Sequence, residues 1–371
     1  MQTAQSKRHI KVRSPQIGQE EEDAVLRVIR SGMFVSGKEV EQFEEDFAEF
    51  HDTRYAVGVN SGTSALVGSL LALGIGPGDE VIVPSMTFVA TATAVLAVGA
   101  TPVFADVDRD CRISLTSVQE CLSERTTAVI PVHLYGHMVD MSGLYHIVGH
   151  LPHVDVIEDA AQAHGASLDD EMAGSIGDLG CFSLFATKNM CCGVEGGVIT
   201  TADEGLAVFL RQWRNHGMTG RDTHQFLGGN YRMSELAAAV ATEQLTKLPE
   251  MNYARDNNSR WLLSAVKDIP WLRAIEPKGN PAWFWCPVVV DEIELGSSTK
   301  ELMAHLRSEG IEVAHRYWEP IYKQPVFGHL PKAAHCPNAE ALSGRVIGLP
   351  NRPDMTQDEL DYVAEVLHCV V

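Results

Sequence analysis

Lys188 is the only lysine between Lys38 and Lys247, and it lies between an apolar run and a glycine-rich one in CFSLFATKNMCCGVEGGVIT, residues 181–200. A lysine among buried strands is costly unless it is paired or chemically used. Read alone it is an ordinary surface lysine at a strand end. Read as chemistry it is an amine of lowered pKa that traps an aldehyde as a Schiff base. Asp159 ends the apolar run VDVIED, at a strand's carboxyl edge, where open α/β sheets bind ligands. Such an Asp can simply cap the next helix. It can also face a pyridine nitrogen and keep it protonated, as a pyridoxal phosphate site requires. Glu158 beside it points to the opposite face of the strand. NSGTSAL, residues 60–66, places small residues and a glycine before a helix, where backbone N–H groups can receive an anion. It matches neither the Walker A pattern nor GxGxxG, and a purely structural turn looks the same. In chain order, an anion-type turn, a strand-end carboxylate and a lone lysine are what a phosphorylated aldehyde cofactor needs.

The histidines say less. His133 and His137 lie four apart in HLYGH, but the intervening glycine and the strand-end position argue against a helical metal pair, and no metal is expected. His164 follows Asp159 closely enough to share its pocket. His216 ends a helix, where a cation suits the dipole.

Elements of alternating type must position these residues. Helical patterns over GQEEEDAVLRVIRSG and KEVEQFEEDFAEFH precede the strand RYAVGV. Short apolar strands then alternate with helices: DEVIVP, TPVFADV, TTAVIPVH and VDVIED are strands, and TFVATATAVLAVG, SVQECLSE and MSGLYHIVGH are helices. This is the signature of βαβ units with a buried, mainly parallel sheet. GCFSLFAT and GGVITT are strands flanking Lys188. After DEGLAVFLRQWRNHG, two further helices are expected in SELAAAVATEQLTKL and NYARDNNSRWLLSAVKD, with a domain boundary near Pro249. The expected division is a large domain over 1–248 and a smaller α+β domain over 249–371.

The chain has 371 residues, 45% of them hydrophobic, and a formal net charge of −20. That balance argues against a general nucleic-acid or anionic-membrane surface, both of which need basic patches. The polar N-terminus lacks the apolar core of a secretory signal, and no apolar run is long enough to span a membrane. The eight cysteines are scattered apart from the pair Cys191 and Cys192, and no CxxC occurs. A reduced cytoplasmic protein is expected.

From about Gln16 to the C-terminus the sequence resembles the DegT/DnrJ/EryC1/StrS aminotransferases, the sugar aminotransferase branch of the fold-type I pyridoxal phosphate enzymes. The resemblance rests on ordered matches including SGTSAL, GIGPGDEVIVPSMTFVATATAVLAVGATPVFADVD, VIPVHLYGHMVDM, VIEDAAQAHGA, GDLGCFSLFATKN, EGGVITT, RNHG and GGNYRMSELAAAVATEQL. It implies that Lys188 holds the cofactor and shuttles protons. By the same resemblance Asp159 pairs with the pyridine nitrogen, Gln162 bonds the ring 3-hydroxyl oxygen, and Phe88 stacks on the ring. Gly62, Thr63 and Ser183 bind the phosphate, and Asn230 completes the phosphate site of a neighbouring subunit. The implied protein is a homodimer with shared active sites. Arg232 and His164 are further candidates for the donor carboxylate or the acceptor, and Arg214, His216, Arg221, Arg316 and Tyr317 for a negatively charged substrate.

The resemblance implies transfer of an amino group from glutamate to a keto group of a nucleotide-linked deoxysugar, with the cofactor alternating between its PLP and PMP forms. A glutamine-dependent keto-cyclitol aminotransferase is the alternative it leaves open. Relatives that are sugar dehydratases carry histidine in place of the lysine, which Lys188 opposes. A non-catalytic regulator on this scaffold would be expected to have lost Lys188 or Asp159. One local departure stands out: members commonly read Gly-Glu-Gly-Gly after the lysine, whereas in KNMCCGVEGG Val194 stands between Gly193 and Glu195, so the loop is one residue longer or shifted. Cys191 and Cys192 replace small hydroxylated residues and read as buried small hydrophobes.

Overall fold

A computed structural model describes residues 9–315, 317, 319–330 and 335–370. Two amphipathic helices, α1 (Gln19–Ser31) and α2 (Lys38–Phe50), come first, each with acids in its first turn, where the helix dipole favours them. α1 stops at Gly32, in the left-handed region at φ 69°. α2 buries Val40, Phe43 and Phe47 on one face, as their spacing predicts.

The chain then alternates: β1 (Tyr55–Val59), α3 (Gly62–Ala72), β2 (Glu80–Pro84), α4 (Ala90–Ala97), β3 (Thr101–Ala105), α5 (Leu115–Cys121), β4 (Thr126–Val129), α6 (Met141–Val148) and β5 (Asp155–Asp159). A short hairpin of β6 (Ser167–Leu168) and β7 (Glu171–Met172) leads to β8 (Leu179–Ser183) and β9 (Gly197–Thr201). The large sheet has seven strands in the order β1-β9-β8-β5-β4-β2-β3. β3, β2, β4, β5 and β8 pair in parallel, and β9 runs antiparallel to both β8 and β1. This is the α/β fold-type I architecture expected, a mainly parallel mixed sheet with helices on its faces. Strand interiors are buried on both sides, which is why they read as continuous apolar runs.

Next come α7 (Glu204–Trp213), a hairpin of β10 (Met218–Gly220) and β11 (Thr223–His224), and α8 (Glu235–Ala265). The two helices expected around Pro249 are one helix of 31 residues with that proline inside it. An interior proline costs about 3 kcal/mol. Leu245, Leu248, Met251 and Leu262 on either side are at most 6% exposed, and each such buried chain contributes about 1.5–3 kcal/mol, so packing carries the helix through. A second antiparallel sheet of β12 (Leu272–Ala274), β13 (Cys286–Val290) and β14 (Val346–Leu349) packs with the helices Thr299–Ser308 and Gln357–Cys369 around its own apolar core. Ile10 belongs to that core and bridges Ile311. With α8 spanning residue 249, the two cores do not follow the ranges 1–248 and 249–371 residue for residue. Among the described residues no helix is long and apolar enough to cross a membrane.

Two buried histidines make this fold acid-sensitive. His51 lies in the core between Phe47 and Phe182, and His137 packs edge-on to Trp283 with no hydrogen-bond partner for either ring nitrogen. Burial lowers both pKa values to about 3. Unfolding restores about 6.5, so the unfolded chain binds more protons than the native one between these values. Stability is therefore full above pH 6.5 and declines as pH falls towards 3. At pH 5 each histidine removes about 2 kcal/mol. Urea unfolding at neutral pH and at pH 5 should show that decline, and His137→Phe should recover about half of the part due to this pair.

Candidate active site

The carboxyl ends of the central strands open into a cavity of about 370 Å³. One wall is the start of α3. The side chain of its N-cap, Ser61, accepts a hydrogen bond from the Ser64 amide at 3.1 Å. The next residue has no room for a side chain: a Cβ at Gly62 would lie 2.7 Å from the Cβ of Ser183. A Cβ at Gly197 would lie 2.4 Å from the Ser61 carbonyl oxygen. Only glycines allow this approach, and it brings the first turn of α3 onto the ends of β8 and β9. First-turn N–H groups lack partners within their helix, and Gly62, Thr63 and Ser183 all line the cavity there, an arrangement of the kind that suits an anion.

Opposite chemistry occupies the end of β5. Asp159 is 6% exposed. Its Oδ2 accepts a hydrogen bond from Thr91 Oγ1 at 2.8 Å, and its Oδ1 accepts from the Ala161 amide at 3.2 Å. Burial pushes its pKa up, against the Thr91 bond and the positive charge of Lys188, which act to lower it. Gln162 lines the same cavity and is fixed at both ends of its amide. Its oxygen accepts from the Tyr135 amide at 2.7 Å, and its nitrogen donates to the Tyr317 hydroxyl at 3.2 Å. Tyr317 itself is buried with φ 63°, an uncommon backbone conformation for a tyrosine.

Lys188 reaches the cavity from the loop between β8 and β9, with Nζ 5.0 Å from the centroid of the Phe284 ring. Phe88 lines the cavity with half its surface exposed. Of the sequence-predicted residues, Gly62, Thr63, Phe88, Asp159, Gln162, Ser183, Lys188 and Tyr317 thus meet in one place.

The others do not line it. His164 is fully buried against Phe182, and burial lowers its pKa well below the usual range. It faces the core rather than the cavity, as a neutral ring. Arg214 is committed to the buried carboxylate of Glu44 and to the Gly58 carbonyl. Arg232 donates to the Asn215 side chain at 2.6 Å. His216 and Arg221 are exposed near the β10–β11 hairpin, and Asn230 is exposed beyond it. Arg316 lies outside the described residues.

Several residues of the site escaped the sequence reading: Arg13, Thr87, Thr187, Glu195 and Phe284 line the cavity, and Thr91 donates to Asp159 behind it. Thr87 and Thr91 had a signal, since two hydroxyls four apart entering a helix share a face. Arg13 and Phe284 had none, because they reach the site from distant parts of the chain.

These groups fit pyridoxal phosphate: a glycine-backed helix start for the phosphate, a buried carboxylate for a protonated ring nitrogen, a fixed amide, an exposed aromatic face and an amine. The comparisons agree. The model of a family described as the DegT/DnrJ/EryC1/StrS aminotransferase family matches residues 15–368. The chain is 37% identical over 345 residues to a dTDP-3-amino-3,4,6-trideoxy-alpha-D-glucose transaminase from Streptomyces venezuelae, covering 92% of this chain and 89% of the relative. The crystal structure of S. venezuelae DesV in complex with a ketimine intermediate superposes with TM-score 0.89 at 36% identity, covering 94% of this chain and 93% of DesV. A GDP-4-keto-6-deoxymannose-3-dehydratase with a trapped PLP-glutamate geminal diamine gives TM-score 0.91 at 28% identity, covering 97% of this chain and all of that one.

Gly62→Ala tests the close approach at α3. The added methyl must push the start of α3 off Ser183, so affinity for pyridoxal phosphate should fall by about tenfold or more. Absorbance titration of cofactor-stripped protein measures it, with circular dichroism unchanged.

Proposed function

The chain belongs to the DegT/DnrJ/EryC1/StrS aminotransferase family, and on that premise we propose that this pyridoxal-phosphate-dependent transaminase moves an amino group from glutamate to a keto carbon of a nucleotide-linked deoxysugar. The observation that carries the reading is the meeting of Lys188, Asp159 and the start of α3 around one cavity. When bound, the cofactor supplies an electron sink that stabilises a carbanion next to nitrogen. The protein would do the rest. Gly62, Thr63 and Ser183 would hold the phosphate, Asp159 the ring nitrogen, Gln162 the 3-hydroxyl oxygen, and Phe88 one ring face. Lys188 would anchor the aldehyde carbon. Its Nζ would also take a proton from the donor α-carbon and return one to the acceptor carbon.

Asp159 suits its role because a buried carboxylate gains from a cationic partner. Lys188 is the residue that separates this reading from a sugar dehydratase, whose site carries histidine there. The working unit in this reading is a homodimer. Phe88 and Phe185 line the cavity yet are 51% and 39% exposed, and a second copy over the cavity mouth would cover them. Asn230, exposed and away from its own chain's cavity, would serve the partner's phosphate site.

Purified protein should be yellow, and borohydride should bleach the band and fix the cofactor covalently to Lys188. Lys188→Ala should abolish turnover. A colourless protein that gains no absorbance with added pyridoxal phosphate sinks the reading. Nucleotide ketosugars and keto-cyclitols, each tried with glutamate and with glutamine, test the substrate class.

Mixing two inactive variants tests the shared site. In a heterodimer of Lys188→Ala with Asn230→Ala, one site carries both changes and the other neither. Random exchange of subunits should therefore restore about a quarter of the sites. No recovery after subunit exchange would place Asn230 outside the partner's site.

A further inference from the structure

Two threonines stand where the chain enters α4, Thr87 shortly before the helix and Thr91 in its first turn. They are 1% and 0% exposed, and Thr87 lines the cavity that Asp159 also lines. A helical threonine ordinarily returns its hydroxyl to a carbonyl three or four residues back. Thr91 directs its hydroxyl elsewhere: Oγ1 donates to Asp159 Oδ2 at 2.8 Å. That bond uses its one proton, so the 3.1 Å contact between the two hydroxyls has a single polarity while Asp159 is ionised. Thr87 donates to Thr91, and Thr91 donates to Asp159. Hydrogen bonds linked in this way polarise one another, and each strengthens the next.

The carboxylate depends on that support. Burial raises the pKa of Asp159, and the Thr91 bond is the largest influence against it, ahead of the charge of Lys188, the Ala161 amide and the charge of His133. Cys181, which pairs with Asp159 across β5 and β8, adds a thiol whose own pKa burial raises. Thr91 holds Oδ2 and the Ala161 amide holds Oδ1 at 3.2 Å. The plane of the carboxylate is therefore fixed at both oxygens, with lone pairs left over for a cation. The same turn carries Phe88, whose carbonyl accepts from the Thr91 amide at 3.1 Å. The aromatic face proposed for the ring and the donor behind the carboxylate proposed for its nitrogen are thus set against each other by one stretch of backbone.

We propose that Thr91, with Thr87 behind it, is the positioning residue of Asp159: the hydroxyl pair fixes the carboxylate and holds it ionised towards the cavity, which sets how firmly a pyridine nitrogen there keeps its proton. That last step rests on the transaminase reading, whereas the hydroxyl pair acts on Asp159 with or without a cofactor.

Two titrations test this. In cofactor-free protein, infrared difference spectra of each variant against its Asp159→Asn counterpart follow the Asp159 carboxyl with pH. Thr91→Val removes the donor and keeps the branched shape, so it should raise the Asp159 pKa by about one unit, which is roughly what one hydrogen bond to a charged group contributes. Thr87→Val should raise it by less, and Thr91→Ser should leave it at the wild-type value. In the holoenzyme, the yellow band changes with pH as the Lys188 nitrogen bound to the cofactor gains a proton. A cationic ring opposes that proton. Thr91→Val, which weakens the ring's hold on its charge, should raise the midpoint by at least about half a unit, and Thr91→Ser should restore it. Either midpoint left unmoved by Thr91→Val overturns the proposal, as does Thr91→Ser behaving like Thr91→Val. A threonine needed only for packing would lower the melting temperature and move neither midpoint. If Thr91→Val does not fold, Thr91→Cys carries the test, because a thiol is a weak donor, and midpoints equal to wild type then overturn the proposal. A yellow holoenzyme in which neither midpoint moves refutes the role of Thr91 alone. A protein that takes up no cofactor, yet shows the Asp159 shift, refutes the transaminase reading alone.

Discussion

Two consecutive carboxylates inside a buried strand are the constraint around which this molecule is arranged. Removing a carboxylate from water costs several kcal/mol unless donors replace the lost solvation. Glu158 is fully buried and richly supplied. It accepts from His133 Nε2 at 2.8 Å and from the amides of Gly174, Ile176 and Gly177 at 2.6–2.9 Å. Because the Val139 amide donates to His133 Nδ1, the imidazole proton sits on Nε2 and points at Glu158. Burial pushes the Glu158 pKa up, but the His133 and amide bonds outweigh it and hold the carboxyl low. Asp159, one residue on and facing the other side, has only Thr91 and Ala161, and burial wins. One acid is spent on holding the 174–177 turn, and the other keeps capacity for a cationic partner.

The cavity wall at α3 follows a different principle. The cavity uses backbone rather than basic side chains beside α3, and the sheet topology makes this possible. β9 runs against its neighbours, so the chain leaving β8 must turn back within 13 residues, 184–196. That turn carries Lys188. Its return puts Gly197 against Ser61 and opposite Ser183. A parallel ninth strand would have needed a crossover connection and would have carried the lysine away from α3.

The legible parts of the site were those whose meaning is local. A strand-end acid, a small-residue turn before a helix and an isolated lysine each have a sequence signature, and the apolar runs gave the strands. What stayed hidden depends on distant partners. Arg214 looked available for a substrate because nothing nearby in sequence shows that Glu44 lies buried beside it. His164 follows Asp159 by five residues, but the chain turns it into the core against Phe182. Pro249 read as a helix boundary because local propensity cannot register the apolar packing on both sides of it. Arg13 lies 175 residues from Lys188 and is carried to it through the pairing of Ile10 with Ile311.

The loop after Lys188 shows how fixed neighbours decide where a chain bulges. Leu184 pins both sides of the bulge: its carbonyl accepts from the Cys192 amide at 3.0 Å, and its amide donates to the Gly196 carbonyl at 2.8 Å. Cys192 is buried, its thiol donating to the Leu184 and Val194 carbonyls and pushed up to about 12 by burial. It therefore packs rather than reacts. With 192 and 196 held, the three residues between them bulge outward. Gly193 turns through φ 76°, Val194 is 57% exposed, and Glu195 comes to line the cavity. A carboxylate at that edge accepts hydrogen bonds from hydroxyl groups and repels phosphate oxygens.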